Sequence, residues 1–222
     1  MKTDRSVIAD SLGVGFATGA YGVSFGAIAV SSGLSVSQAC ALSLIVFTGA
    51  SQFAFVGVIA AGGAPLAGAA TAILLGSRNL FYGLSLAPHL EARGPKKLLT
   101  AHVVIDESTA MAVTRDTSRQ ARLGFHWTGW SIFILWNLTT FIGALAGEAI
   151  GDPRTYGLDA AVGAAFLGLL WPRLNSMRAR LVALVAAAAA MGLVPFTAAG
   201  MPIILGGAIA VSLGLVLRRR SA

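Results

Sequence analysis

Apolar runs of about 20 residues, the length that crosses the hydrocarbon core of a bilayer, recur along this chain from residue 11 to residue 217. In lipid a backbone cannot leave its N–H and C=O groups unpaired, so runs of this length and uniform apolarity read as membrane-spanning helices. Only 11% of the residues are charged and the mean hydropathy is +0.78, whereas a soluble domain carries about a quarter charged residues. The expected fold is therefore an all-α polytopic membrane protein, one integral membrane domain over residues 1–222, with the lipid bilayer as its solvent.

The apolar runs read as segments at 11–31, 37–61, 65–86, 125–149, 158–171, 181–196 and 202–217, which makes roughly 6–7 transmembrane helices. The piece 98–114 is short for a crossing and contains Asp106 and Glu107, so it reads as a re-entrant or half-helix. The first run is longer than the 7–15 residues of a signal-peptide core, and Asp4 and Asp10 interrupt its basic flank, so it is expected to be retained. Gly15/Gly19 and Gly22/Gly26 give it a small-residue face on which another helix can approach closely.

A net charge of +7 does not imply nucleic acid here, because the basic residues cluster between and after apolar segments, as membrane topology requires. The clusters Arg115/Arg119/Arg122, Arg173/Arg178/Arg180 and Arg218/Arg219/Arg220 are separated by even numbers of segments, which puts them and the C-terminus in the cytoplasm. Lys2 and Arg5 fit less easily, since three segments separate them from Arg93/Lys96/Lys97. Either the N-terminus is outside, or 98–114 crosses, or an early segment is broken. A weak similarity between 33–47 and 157–171 suggests repeats at 11–87 and 125–217, inverted if the first contains an odd number of spans.

The polar residues inside these segments carry the functional reading. Arg78, in "LLGSRNLFYG", shares a helical face with Thr71, Tyr82 and Ser85. A guanidinium near the bilayer centre costs at least about 2.5 kcal/mol, so that face should look into protein or water. Asp106 and Glu107 are its expected acidic partners, and His102 lies one helical turn before Asp106. Thr48, Ser51 and Gln52 form a further polar face, with Gly49 making a local unwinding plausible, and Asn137 and Thr140 form a weaker pair that reads as an inter-helix hydrogen bond. A phosphate-binding G-x4-G-K-[ST] and an H-E-x2-H are absent. Cys40 stands alone, and no His/Cys ligand set appears, so no enzyme, cofactor or metal is expected. Mixed and sparse buried polar groups suit a transporter of a zwitterionic, partly apolar solute better than the single-sign charge rows of a channel. The competing reading is a structural or assembly subunit whose partner forms the path.

"GVSFGAIAVSSGLSVSQACALSLIVFTGASQFAFVGVIAAG", "LLGSRNLFYGLSLAPHL", "DESTAMA" and "GLDAAVGAAFLGLLWP" resemble the AzlC family of bacterial branched-chain amino acid permeases over nearly the whole chain. The F-T-G-A-S-Q-F block and the R-x3-Y block with its downstream D-E are the most specific pieces. The resemblance implies a secondary transporter subunit in the bacterial inner membrane that exports valine, leucine, isoleucine or analogues, with a small hydrophobic AzlD-type subunit as partner. It departs at one point, having Gly76 where the family pattern carries an asparagine two residues before the arginine, with Asn79 placed after it. Candidate path residues are Thr48, Ser51, Gln52, Arg78, Asn79, Tyr82, Asp106 and Glu107. Coupling to protons through Asp106 or Glu107 is the accompanying hypothesis.

Overall fold

The structure, a computed structural model, describes residues 3–150, 167 and 170–219. The expected segment 158–171, and with it the later half of the internal similarity, lies almost wholly outside the described residues. Every long element among the described residues is helical: α1 (Asp4–Gly19), α2 (Gly22–Ser31), α3 (Val36–Ile45), α4 (Gly49–Ala60), α5 (Pro65–Leu90), α6 (Lys96–His102), α7 (Asp106–Val113), α8 (Ser118–Ile150), α9 (Met177–Leu193) and α10 (Met201–Arg219). An all-α polytopic membrane protein is what the composition demanded. Four stretches, Asp4–Ser31, Ser118–Ala149, Met177–Phe196 and Met201–Arg218, are long and apolar enough to cross a membrane. At about 1.5 Å per residue the 26 residues of α5 also have the length, although Arg78 interrupts their apolar character.

Helices α1 and α2 run alongside α8 in the same direction. Gly15 faces Ser131, Gly19 faces Leu135, Gly22 faces Thr139 and Gly26 faces the Thr140 carbonyl, at distances where no Cβ fits. Thr139 Oγ1 donates to the Gly19 carbonyl at 2.5 Å. This is the small-residue packing expected of the two G-x3-G pairs, with dispersion contact rather than hydrophobicity holding helices together in lipid. Both elements therefore begin at one end of the bundle, where Asp4 pairs with Arg119 at 2.9 Å and Asp10 with Arg115 at 3.6 Å.

Segment 37–61 is not one crossing. A capping box at Ser35 and Gln38 starts α3, which runs antiparallel to α8, with Ser43 reaching Thr140 and Phe47 reaching Phe133. The helix stops at Val46, whose ψ of 65° leaves the helical region, and Thr48 is extended. The β-branched residues of "IVFTG" and Gly49 all have weak helix propensity. From Gly49, α4 returns the way α3 came, since Ser51 lies against Gly76, Phe55 against Gly68 and Val58 against Gly63. The α5 helix then traverses the bundle and ends at the basic end, where Arg122 pairs with Glu91 at 3.2 Å and donates to the His89 carbonyl.

The 98–114 piece makes a second hairpin of the same kind. Helix α6 leaves the basic end, Val103–Ile105 interrupt it, and α7 runs back, with Val103 against Gly129 and Met111 against Gly124. The two hairpins enter from opposite ends and their tips meet, Phe47 and His102 both packing on Phe133 with ring centroids 5.1 and 5.3 Å apart. Two successive units, a crossing followed by a hairpin (4–60 and 65–113), are thus inverted with respect to each other. The difficulty over Arg5 disappears, because two crossings, α1–α2 and α5, rather than three lead from it to Arg93. It was the early segment that was broken.

Candidate functional site

Near the middle of α5, Arg78 Nη2 pairs with Asp106 Oδ2 at 2.6 Å. The other oxygen of Asp106 accepts from the Tyr82 hydroxyl at 2.8 Å and from Arg173 Nη2 at 3.1 Å. The same Arg173 nitrogen donates to the Tyr82 oxygen at 2.8 Å. One carboxylate is thus shared by two guanidinium groups and a phenol. Arg78 and Tyr82 are brought together by their four-residue spacing on α5. Asp106 is placed by the break in α6–α7, as the first residue of α7, where a helix N-terminus favours negative charge. Arg173 arrives on the turn Trp171–Arg173.

The exposures separate the two cations. The side chains of Arg78 and Asp106 are 26% and 17% exposed, that of Arg173 57%. Arg78 Nε is buried with no partner. Glu107 is half-buried and lies within 4 Å of neither guanidinium, so of the two expected acids only Asp106 pairs with Arg78.

The other predicted residues divide between a second locus and the backbone. Thr48, Ser51 and Gln52 do not share a helical face, because Thr48 is the extended residue before α4 and makes no capping bond. Gln52 is fully buried, and its Nε2 approaches the Leu42 carbonyl across the break at 3.5 Å. Its Oε1, the Ser51 hydroxyl and Asn79 Oδ1 have no partner. Thr71 and Ser85, expected on the face of Arg78, lie on the same helix α5 at that spacing and bond to carbonyls of their own helix. His102 and Asp106 do not make one polar face, since the break at 103–105 parts them, and His102 is stacked on Phe47 and packs edge-to-face with Phe133. Asn137 donates to Phe133 in its own helix, whereas Thr140 does bond across helices, to Ser43.

Arg173 was missed as a site residue and grouped with Arg178 and Arg180 as a topological charge. One signal was available: it follows Trp171-Pro172 directly, where proline ends a helix, and is five residues from Arg178. Among the described residues no group of three His, Cys, Asp or Glu side chains is arranged to hold a metal.

The AzlC protein family model matches residues 13–150. An uncharacterized membrane protein of Archaeoglobus fulgidus is 32% identical over 158 residues, 70% of this chain and 69% of its own length. The branched-chain amino acid transport protein AzlC of Bacillus subtilis is 26% identical over 66% of this chain and 58% of its own. The inner membrane protein YgaZ of Escherichia coli is 30% identical over 63% and 58% respectively. The chain therefore spans less than two thirds of the length of the latter two relatives. No solved structure matches.

Proposed function

The chain belongs to the AzlC family, and on that premise we propose that it is a secondary-transport subunit that moves branched-chain amino acids across the bacterial inner membrane. The observation that carries the reading is the Arg78–Asp106–Tyr82–Arg173 cluster at a break between half-helices. Charged groups at such depth are costly and, by default, functional. Interrupted helices are tolerated in a membrane only where they are buried in protein or line a cavity, and transporters use them to build substrate sites. A guanidinium and a carboxylate side by side offer complementary ends to a zwitterion, and Phe47, Phe133 and Val103 offer apolar surface to a branched side chain. The name of the Bacillus subtilis relative gives the substrate class. Ser51, Gln52 and Asn79, with Thr48 beside them at the α3–α4 break, form the second polar part of the path.

Orientation follows from charge. The described connections at the end opposite the N-terminus, 32–35, 61–64 and 197–200, contain no charged residue, whereas Arg5, Arg93, Lys96, Lys97, Arg115, Arg119 and Arg122 lie at the N-terminal end. The positive-inside rule supports a cytoplasmic position for that end, and the course of α10, which returns from residue 200 toward the same end, supports a cytoplasmic C-terminus. Export is the direction proposed, with a small hydrophobic AzlD-type subunit as partner. Asp106 spends both oxygens on three donors, so Glu107, which forms no ion pair among the described residues, is the better carrier for proton coupling.

The second reading, a structural subunit with Arg78 bridged only for folding, draws on the 2.6 Å Arg78–Asp106 pair. Proteoliposomes separate the two. Valine, leucine and isoleucine flux is measured for this chain alone, with its partner, and with Arg78→Gln in the complex. The transport reading expects flux in the complex and its loss in a stably assembled Arg78→Gln variant. Normal flux in that variant refutes a path role for Arg78.

A further inference from the structure

Resting on the transport reading, we propose that the amino acid binds by inserting into the Arg173–Asp106 pair, its carboxylate taken by Arg173 and its ammonium by Asp106 Oδ1, while the Arg78–Asp106 pair stays intact. The cluster has two cations for one carboxylate, and the two ion pairs are unequal. Arg78 holds Oδ2 at 2.6 Å and is mostly shielded; Arg173 holds Oδ1 at 3.1 Å with a side chain 57% exposed. Arg173 is carried on a short turn between Leu170 and Leu174 rather than within a long helix. The longer, more exposed pair is the one a solute reaches and opens at least cost.

A zwitterion is the ligand for which this exchange balances. It replaces one ion pair by two and leaves the local charge unchanged, so neither Arg173 nor Asp106 Oδ1 is left unpaired in a low-dielectric interior, where an orphaned charge is expensive. A carboxylic acid alone would satisfy Arg173 and leave Oδ1 without a cation, with the Tyr82 hydroxyl as its remaining donor. An amine alone would satisfy Oδ1 and strand Arg173. Tyr82, which already accepts from Arg173 and donates to Asp106, keeps a donor and an acceptor at the junction and orients both. Arg78 then acts as a positioning residue that fixes Asp106, and selection for the amino acid head group belongs to Arg173.

The test is competition against radiolabelled leucine in proteoliposomes holding this chain and its partner, with 4-methylpentanoate and isoamylamine as the acid and amine analogues. The wild type is expected to be inhibited by valine and isoleucine but by neither analogue at a tenfold excess. Arg173→Gln is expected to raise the leucine KM at least tenfold, with monodispersity unchanged, and to become sensitive to isoamylamine, because Oδ1 then lacks its cation. Arg173→Lys, which keeps the charge, is expected to recover part of the leucine affinity and to reject the amine. A wild-type KM in Arg173→Gln, or inhibition of the wild type by either analogue as strong as by valine, overturns the proposal. Absence of any branched-chain flux in the wild-type complex overturns the transport reading itself and this inference with it.

Discussion

Removing the charge of Asp106 should cost more than removing that of Arg78, although the two form one pair. Asp106→Asn leaves two guanidinium groups beside a neutral amide, and Arg78, 26% exposed, forms no second ion pair among the described residues. Arg78→Gln leaves Asp106 still paired with Arg173 and bonded to Tyr82. Breaking a fully buried pair from one side costs about 3–5 kcal/mol, and partial solvent access lowers that to about 2–3 kcal/mol for Asp106→Asn. With its second cation in place, the loss for Arg78→Gln should be about 1 kcal/mol, the upper part of the range for exposed pairs. The double variant removes both charges and should fall below the sum by about 1–2 kcal/mol. Reversible denaturant titration in mixed micelles, followed by the emission of the four tryptophans, gives the three free energies. Arg78→Gln costing as much as Asp106→Asn would mean that Arg173 does not hold the carboxylate. A double variant additive within about 0.5 kcal/mol would mean that Arg78 and Asp106 are not coupled at all.

Two further outcomes test the architecture. In a Cys40→Ala background, single cysteines at Ser35 and Ala64 should be labelled by a membrane-impermeant maleimide from outside intact cells, while one at Lys97 should be labelled only after permeabilisation. Labelling of Ser35 and Lys97 from the same side would make α3–α4 a crossing and refute the opposed hairpins. Gly26→Leu places a side chain against the Thr140 carbonyl and the Ala144 nitrogen, backbone atoms that cannot swing aside. It should separate α2 from α8 and destabilise the protein by about 3 kcal/mol or more, at the upper end for overpacking, in the same titration. Wild-type stability would show that the glycine face is not in contact.

The class of fold was legible because hydropathy length is a nearly local property: a bilayer-length apolar run must be helical whatever surrounds it. The breaks were only half legible. "FTGASQF" carries poor helix formers, and 98–114 was too short to cross, so both pointed to interruption, but the direction in which a half-helix returns depends on packing partners far away in sequence. Gly68 and Gly76, which admit Phe55 and Ser51, decide that α4 turns back. The spacing of Arg78 and Tyr82 is likewise local and was read correctly. Arg173 lies 67 residues from Asp106, and no periodicity links a turn after one helix to the first residue of another.

The opposed hairpins also account for the sign of the site. Both α4 and α7 start inside the bundle and run outward, to opposite ends, so each aims its N-terminus inward. A helix N-terminus carries about half a positive charge from its unpaired N–H groups. The first residue of α7 is Asp106, which answers that charge, while Thr48 makes no capping bond to α4. Two positive helix ends and two guanidinium groups thus gather around the paired carboxylate of Asp106, with Glu107 beside it in the first turn of α7. A charge left unpaired deep in a membrane is costly, so a solute that opens the Arg173–Asp106 pair must offer a partner to each of them. A solute without charged groups would offer neither, and a simple anion would bring no donor to Asp106 once Arg173 let go. A zwitterion held with its carboxylate toward the guanidinium and its ammonium toward Asp106 meets both conditions, and the aromatic surface between the two hairpin tips is left to read the side chain.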